Sequence, residues 1–166
     1  MILIGIDTGS KGAIAEIDTS EKLVRWMKLP YREDGILLAR NVHNAFDFNH
    51  AHKIAVEEVG YIKNANGNAT FKFGQNYGLA LALVAEYPFE LIRPQVWHKR
   101  LNGPKTDDTS TTKKRSKATF QRMNPSFGKI VAEHHEGMID AFLIGYFCGL
   151  KNFVIMGSDY NFMNVD

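Results

Sequence analysis

Five acids at four places in the chain, with Glu57 and Glu58 rivals for one of them, carry the chemistry this sequence can offer. Asp7 closes a short apolar run, Ile2 to Ile6, so its side chain can project from the end of a buried strand. Glu57 and Glu58 stand near the end of a second run, Lys53 to Val59. Glu136 and Asp140 lie four residues apart, which puts both on one face of a helix. Asp140 is followed at once by Ala141, Phe142, Leu143 and Ile144. An ionised acid entering so apolar a helix is costly unless a partner meets it. A hard cation is such a partner. Mg²⁺ favours oxygen ligands, and two ions about 4 Å apart can clamp the attacking water and the leaving oxygen in phosphodiester hydrolysis.

Each acid also has a plainer use. Asp7 could brace the Thr8-Gly9-Ser10 turn, and Glu57 could be a surface acid at a strand end, with Glu58 its rival as a ligand. Glu136 at a helix start would favour the helix dipole. It is the joint placement, at two strand ends and one helix, that points to a metal site. Other chemistries have less support. His134-His135 lacks the i,i+4 histidine pair of a zinc protease helix, and no cysteines complement it. The sole cysteine, Cys148, has no partner in the chain for a disulfide, as expected in a reducing cytoplasm. No Walker A loop is present.

Charge supplies the second clue. Between Arg93 and Arg122 nine basic residues face only Asp107 and Asp108. That stretch carries +7, and with a net charge of +2 the remainder carries −5. A phosphate-binding surface beside a carboxylate-rich region fits this separation; a solvated helix face is the plainer alternative.

The elements that must position these groups follow from periodicity. Ile2–Ile6, Ala13–Ile17 and Leu23–Leu29 read as three strands of an antiparallel meander. Asp34 is a candidate N-cap for a helix carrying Ile36, Leu37, Ala39, Val42 and Phe46. A strand over Lys53–Val59, an Asn/Gly-rich loop over Gly60–Thr70, a helix from Phe71 to about Glu86 and a strand over Phe89–Ile92 come next. Short helical pattern at Val96–Leu101 precedes a loop-like stretch from Gly103 to Thr112, and helices are expected over Lys113–Met123 and Glu136–Leu150. At 166 residues this is one α/β domain over residues 1–151, with the tail 152–166 unassigned. No run of about 18 apolar residues predicts a membrane span, and the first residues read as a strand and not an export signal.

Four segments now matter together: Ile4-Gly-Ile-Asp-Thr-Gly-Ser10, Ala55-Val-Glu-Glu-Val59, Phe73-Gly-Gln-Asn-Tyr-Gly-Leu79 and His135-Glu-Gly-Met-Ile-Asp-Ala141. In this order they resemble the RuvC family of Holliday junction resolvases, the virus-encoded (phage-type) branch more than the standard bacterial one. The resemblance spans roughly residues 2 to 150. It implies an RNase H-like fold with a mixed five-stranded sheet, three antiparallel strands and then parallel ones, flanked by helices. It also implies a homodimer that nicks four-way junctions, and acceptance of forks and other branched DNA, using two Mg²⁺ ions per site, with Mn²⁺ able to substitute. By this likeness Asp7, Glu57 and Asp140 match the family's acids, and Glu57 is chosen over Glu58. Standard bacterial members have an acid where this chain has Gly137; virus-type members place one at the position of Glu136, which becomes the fourth candidate. His135 is an accessory candidate for contacting metal-bound water or DNA. Tyr61 is the nearest candidate for an aromatic that stacks on junction bases. Lys63, Lys72, Lys99, Lys113, Lys114, Arg115 and Lys117 are candidate phosphate contacts, which position DNA without reading its sequence. Two other readings stand beside this one: an RNase H-like module that binds branched DNA without cutting, and a fragment of an actin-like phosphotransferase, whose first strand ends in a similar Asp-x-Gly-Ser turn.

Overall fold

The structure is a computed structural model that describes residues 1–60, 66–103, 111–130, 132–154 and 156–165. Strands β1 (Ile2–Ile6), β2 (Ala13–Asp18) and β3 (Leu23–Lys28) form the expected antiparallel meander. Helix α1 (Ala39–Ala45) and a single 3-10 turn at Phe48–His50 lead to β4 (Lys53–Glu57), which runs parallel to β1. Helix α2 (Gly67–Val84) crosses to β5 (Phe89–Ile92), parallel to β4. Helices α3 (Pro94–Leu101), α4 (Thr112–Met123) and α5 (Ala132–Lys151) follow, and β6 (Asn161–Asn164) closes the chain.

The sheet has six strands rather than the expected five, in the order β5-β4-β1-β2-β3-β6. The sixth comes from the tail, where β6 runs parallel to β3. Its signal is aromatic packing more than alternation. Phe162 lies edge-on to Phe120, Phe127 and Phe142 at ring-centroid distances of 5.2, 5.0 and 5.4 Å, and the Tyr160 N–H donates to the buried Asn124 Oδ1. Three helix starts also differ. Asp34 caps a local turn by accepting from the Ile36 N–H, and α1 begins five residues later. Asn66, with its side chain accepting from Asn68, starts α2 earlier than Phe71. Helix α5 begins at Ala132, so Glu136 sits inside the helix and not at its dipolar start.

Two cores cover the sheet. Ile4, Ile6, Ile14, Ile54 and Val56 face Val42, Phe46, Leu83 and Val84 of α1, α2 and their connections. Leu3, Ala13, Ala15, Ile17 and Ala55 face the other way, onto Trp97, Phe120 and the apolar side of α5. Side chains alternate along a strand, so the residues after Ala55 and Gly5 by two, Glu57 and Asp7, are directed to the α5 side.

Gly5 explains how close α5 comes. Across three strands Ala15, Gly5 and Ala55 stand in register and form a row of minimal side chains. A Cβ on Gly5 would meet the Ala141 carbonyl oxygen at 2.1 Å and the Gly145 nitrogen at 2.5 Å, so helix and strand touch backbone to backbone. Gly137 lies as close to the β1–β2 turn, where an added Cβ would meet the Lys11 oxygen at 2.0 Å. Position 137 therefore has no room for a side chain. Gly5→Ala should destabilise the fold by about 3 kcal/mol or more through overpacking, measured by urea unfolding. A change within about 0.5 kcal/mol would contradict the close approach.

Candidate active site

The backbone contact at Gly5 and Gly145 carries Asp140 to the end of β1, where Asp7 emerges. Asp7 is only 9% exposed. Its Oδ1 accepts from the Gly9 N–H at 2.9 Å, so the turn-bracing role is present and occupies one carboxylate oxygen. Glu57 follows the register pair Ile6–Val56, beside Asp7, and its Oε1 accepts from the Trp97 indole N–H at 3.1 Å. Glu58 points elsewhere and pairs with Arg93, Nε to Oε2 at 3.0 Å. Alternation and pairing together separate the two rivals.

Electrostatics bind Asp7, Glu57 and Asp140 into one unit. Burial and the Asp7 charge push the Glu57 carboxyl up to about 7, against which the Trp97 hydrogen bond works. Burial and the charges of Asp7 and Glu57 also push Asp140 up to about 7, opposed by the Ser116 hydroxyl and by Lys113. Asp7 is raised by burial, with the Gly9 N–H and Lys113 acting in the other direction. Nearby, burial and the same Asp7 charge lift the Tyr31 phenol to about 12, and its hydroxyl donates to the Gly9 carbonyl at 3.0 Å. Like charges gathered in a poorly solvated place each favour the protonated form.

Glu136 behaves differently. Lys113 Nζ reaches its Oε2 at 2.7 Å, and that pair together with Lys11 and Lys117 holds Glu136 below the usual carboxylate range. It lines a pocket with Asp140, Lys113, Lys114, Ser116 and Lys117. The structure thus brings Asp7, Glu57 and Asp140 together, and sets Glu136 at the rim in an ion pair.

Among the described residues, no three acidic, histidine or cysteine side chains form a ready shell for a metal ion as they stand. The donor chemistry still fits a hard divalent cation. The three groups offer oxygen alone, come from three separate segments, and are all raised by burial, to which the Asp7 charge adds at Glu57 and Asp140. Lys113 is the ammonium whose charge reaches both Asp7 and Asp140.

The other predicted residues divide by location. Lys114 and Lys117 are exposed beside Lys113 on the carboxylate side of α4. Lys99 and the half-buried Arg115 line a shallow groove between α3 and α4. Lys72 is exposed on α2 and donates to the Asp34 carbonyl at 3.0 Å. His135 packs its ring against Trp26 and Phe127, at 6.0 and 5.3 Å between centroids. Tyr61 and Lys63 lie outside the described residues. Sequence reasoning missed Trp97 and Ser116, which touch Glu57 and Asp140; neither sits in a recognisable motif, and the buried Trp97 in a short amphipathic helix was the only available hint.

The architecture, a mixed sheet with the helices on both faces and acids at the ends of β1 and β4, is RNase H-like. Among solved structures the chain is similar to Thermus thermophilus RuvC in complex with a Holliday junction substrate, at 17% identity and TM-score 0.58 over 87% of this chain and 90% of that one. It is similar to Thermus thermophilus RuvC by itself at 16% identity and TM-score 0.59, over 92% and 97% of the two chains. The Fowlpox virus resolvase with its Holliday junction DNA gives 13% identity and TM-score 0.51, over 92% and 99%. No family model matches the sequence, and no curated protein matches it. At these identities the likeness establishes the fold.

The raised acids have a consequence for stability. Ordinary values of 4.5 for Glu57 and 3.8 for Asp140 apply in the unfolded chain, against about 7 in the folded one. The folded state therefore binds more protons between these limits, and metal-free stability falls as pH rises from about 4 to 7. In EDTA at pH 8, Asp140→Asn should be more stable than the wild type, by on the order of a few kcal/mol. The difference should shrink at pH 4. Equal melting temperatures at pH 8 would contradict the buried-charge account.

Proposed function

We propose that the protein is a divalent-metal-dependent endonuclease that resolves four-way DNA junctions and also cuts forks and other branched DNA. The observation that carries this reading is the convergence of Asp7, Glu57 and Asp140 at one end of an RNase H-like sheet, beside a lysine-rich helix. The similarity to solved resolvases, two of them holding junction DNA, supports the substrate class.

In this reading Asp7, Glu57 and Asp140 would hold the metal, with Glu136 a fourth ligand once it leaves Lys113. Mg²⁺ or Mn²⁺, two ions per site, would supply Lewis-acid activation of water and stabilisation of the leaving 3′ oxygen, which gives 5′-phosphate ends. The chain's own groups do the rest. Lys114 and Lys117, exposed next to Asp140, hold the phosphate backbone at the acids, and Lys99, Arg115 and Lys72 extend the contact on either side. Lys113, released from Glu136, adds a further cation against the scissile phosphate. Trp97 keeps Glu57 turned toward Asp7. Tyr61 and Lys63 are proposed as DNA contacts on the sequence resemblance alone, and His135, held between aromatic rings, supports the helix that carries Glu136.

Symmetric nicking requires two sites, supplied here by a second copy of the chain. The outer face of α2 suits that contact, with Phe71 67% exposed and open space above Gly74 and Gly78. We place the protein in the virus-encoded branch, on Glu136 and the close packing at Gly137. A cytoplasmic setting, in a bacterial cell or an infected host, goes with that placement; no helix among the described residues is long and apolar enough to cross a membrane.

Nicking of a synthetic four-way junction in Mg²⁺ tests the proposal. Asp7→Asn and Asp140→Asn should each reduce nicking by more than the roughly 100-fold that loss of an outer-shell partner costs, while junction binding survives. Full cleavage by either variant would overturn the assignment. Tight binding by a wild type that never cuts would instead identify a non-cleaving module.

A further inference from the structure

Glu57 and Asp140 are both met by donors from the α3–α4 segment. Trp97 is fully buried, and its only polar atom is spent on Glu57 Oε1 at 3.1 Å. An indole N–H donates and cannot accept, so this contact fixes one of the two Glu57 oxygens. On the next helix the Ser116 hydroxyl faces Asp140 in the same pocket. The Asn102 amide nitrogen, at the C-terminal end of α3, donates to Ser116 Oγ at 3.1 Å and lies 2.9 Å from His98 Nδ1.

These contacts have a direction. An ionised carboxylate only accepts, so the Ser116 proton turns to Asp140 and its oxygen accepts from Asn102. Asn102 donates to the Ser116 oxygen, which leaves the hydroxyl proton for the acid. His98 stacks on Trp97 at 3.5 Å between centroids, so the two donor contacts meet through one ring pair and one amide. Side chains that orient metal-binding groups from behind typically work in this way.

We infer that Trp97 and the Asn102–Ser116 pair are positioning residues that aim the Glu57 and Asp140 carboxylates at a shared divalent cation. The inference rests on the reading of these acids as metal ligands. It adds that the basic segment presented to DNA is also the segment that sets their orientation.

Mn²⁺ binding to the full chain without DNA, followed by electron paramagnetic resonance, tests it. Thermal unfolding in EDTA checks that each variant is folded. Ser116→Ala and Asn102→Ala should bind Mn²⁺ roughly 10- to 100-fold more weakly than the wild type. Ser116→Thr, which keeps the hydroxyl, should restore most of the affinity. Trp97→Phe keeps a buried ring, deletes the donor and should weaken Mn²⁺ in the same range; should it fail to fold, the Asn102 and Ser116 variants carry the test. Junction binding in EDTA should stay unchanged in all of them, and the Mg²⁺ needed for half-maximal nicking should rise. Folded Ser116→Ala and Asn102→Ala proteins with wild-type Mn²⁺ affinity would overturn this inference and leave the metal site standing. A wild type that binds no Mn²⁺ would overturn both.

Discussion

Helix α5 rests on β1 with no side chain between them, and the rest of the molecule is arranged around that contact. Gly5 and Gly145 face each other, and the Ala15–Gly5–Ala55 row flattens the sheet beneath the helix. At an ordinary helix-to-sheet spacing the first turns of α5 would stand off from the strand ends. Here the Gly137 turn of α5 touches the Lys11 carbonyl, and Asp140, one turn further on, is delivered beside Asp7. Parallel pairing of β4 with β1 then adds Glu57 from the other side.

Such an arrangement opposes its own stability. Burial raises all three carboxyls, the Asp7 charge raises Glu57 and Asp140 further, and a fold without charge to offset them is held back by each ionised acid. Most domains avoid this; sites that bind cations are where it persists. Lys113 gives partial relief, shared between Glu136 and the more distant Asp7 and Asp140. Its position links the two functions ascribed to the segment, since the same lysine that tempers the acids lies on the helix offered to phosphate.

Much of this was legible in the sequence, for identifiable reasons. The strand run ending at Asp7 and the apolar residues after Asp140 announce acids that must project or be compensated, because the hydrophobic pattern fixes the elements they terminate. Glu57 and Glu58 could not be separated by pattern, since only the pairing with β1 and the Arg93 partner distinguish them. Glu136 looked like a helix-start residue because the preceding Ala132 to His135 turn has no cap signal; inside α5 it meets Lys113 instead. Strand β6 was missed because two of its four residues are Asn and its stability comes from distant rings. Trp97, Asn102 and Ser116 act through contacts between residues 14 to 40 positions apart, which no local pattern encodes.

Asp7, Glu57 and Asp140 are proposed jointly as a cation site, and the proposed nuclease activity depends on it. Anomalous diffraction from crystals of the protein soaked in Mn²⁺ at pH 8 examines that claim without relying on turnover. An anomalous peak in contact with all three carboxylates is the expected result. Crystals in saturating Mn²⁺ with no peak between these acids, from a preparation that cuts junctions, would contradict it.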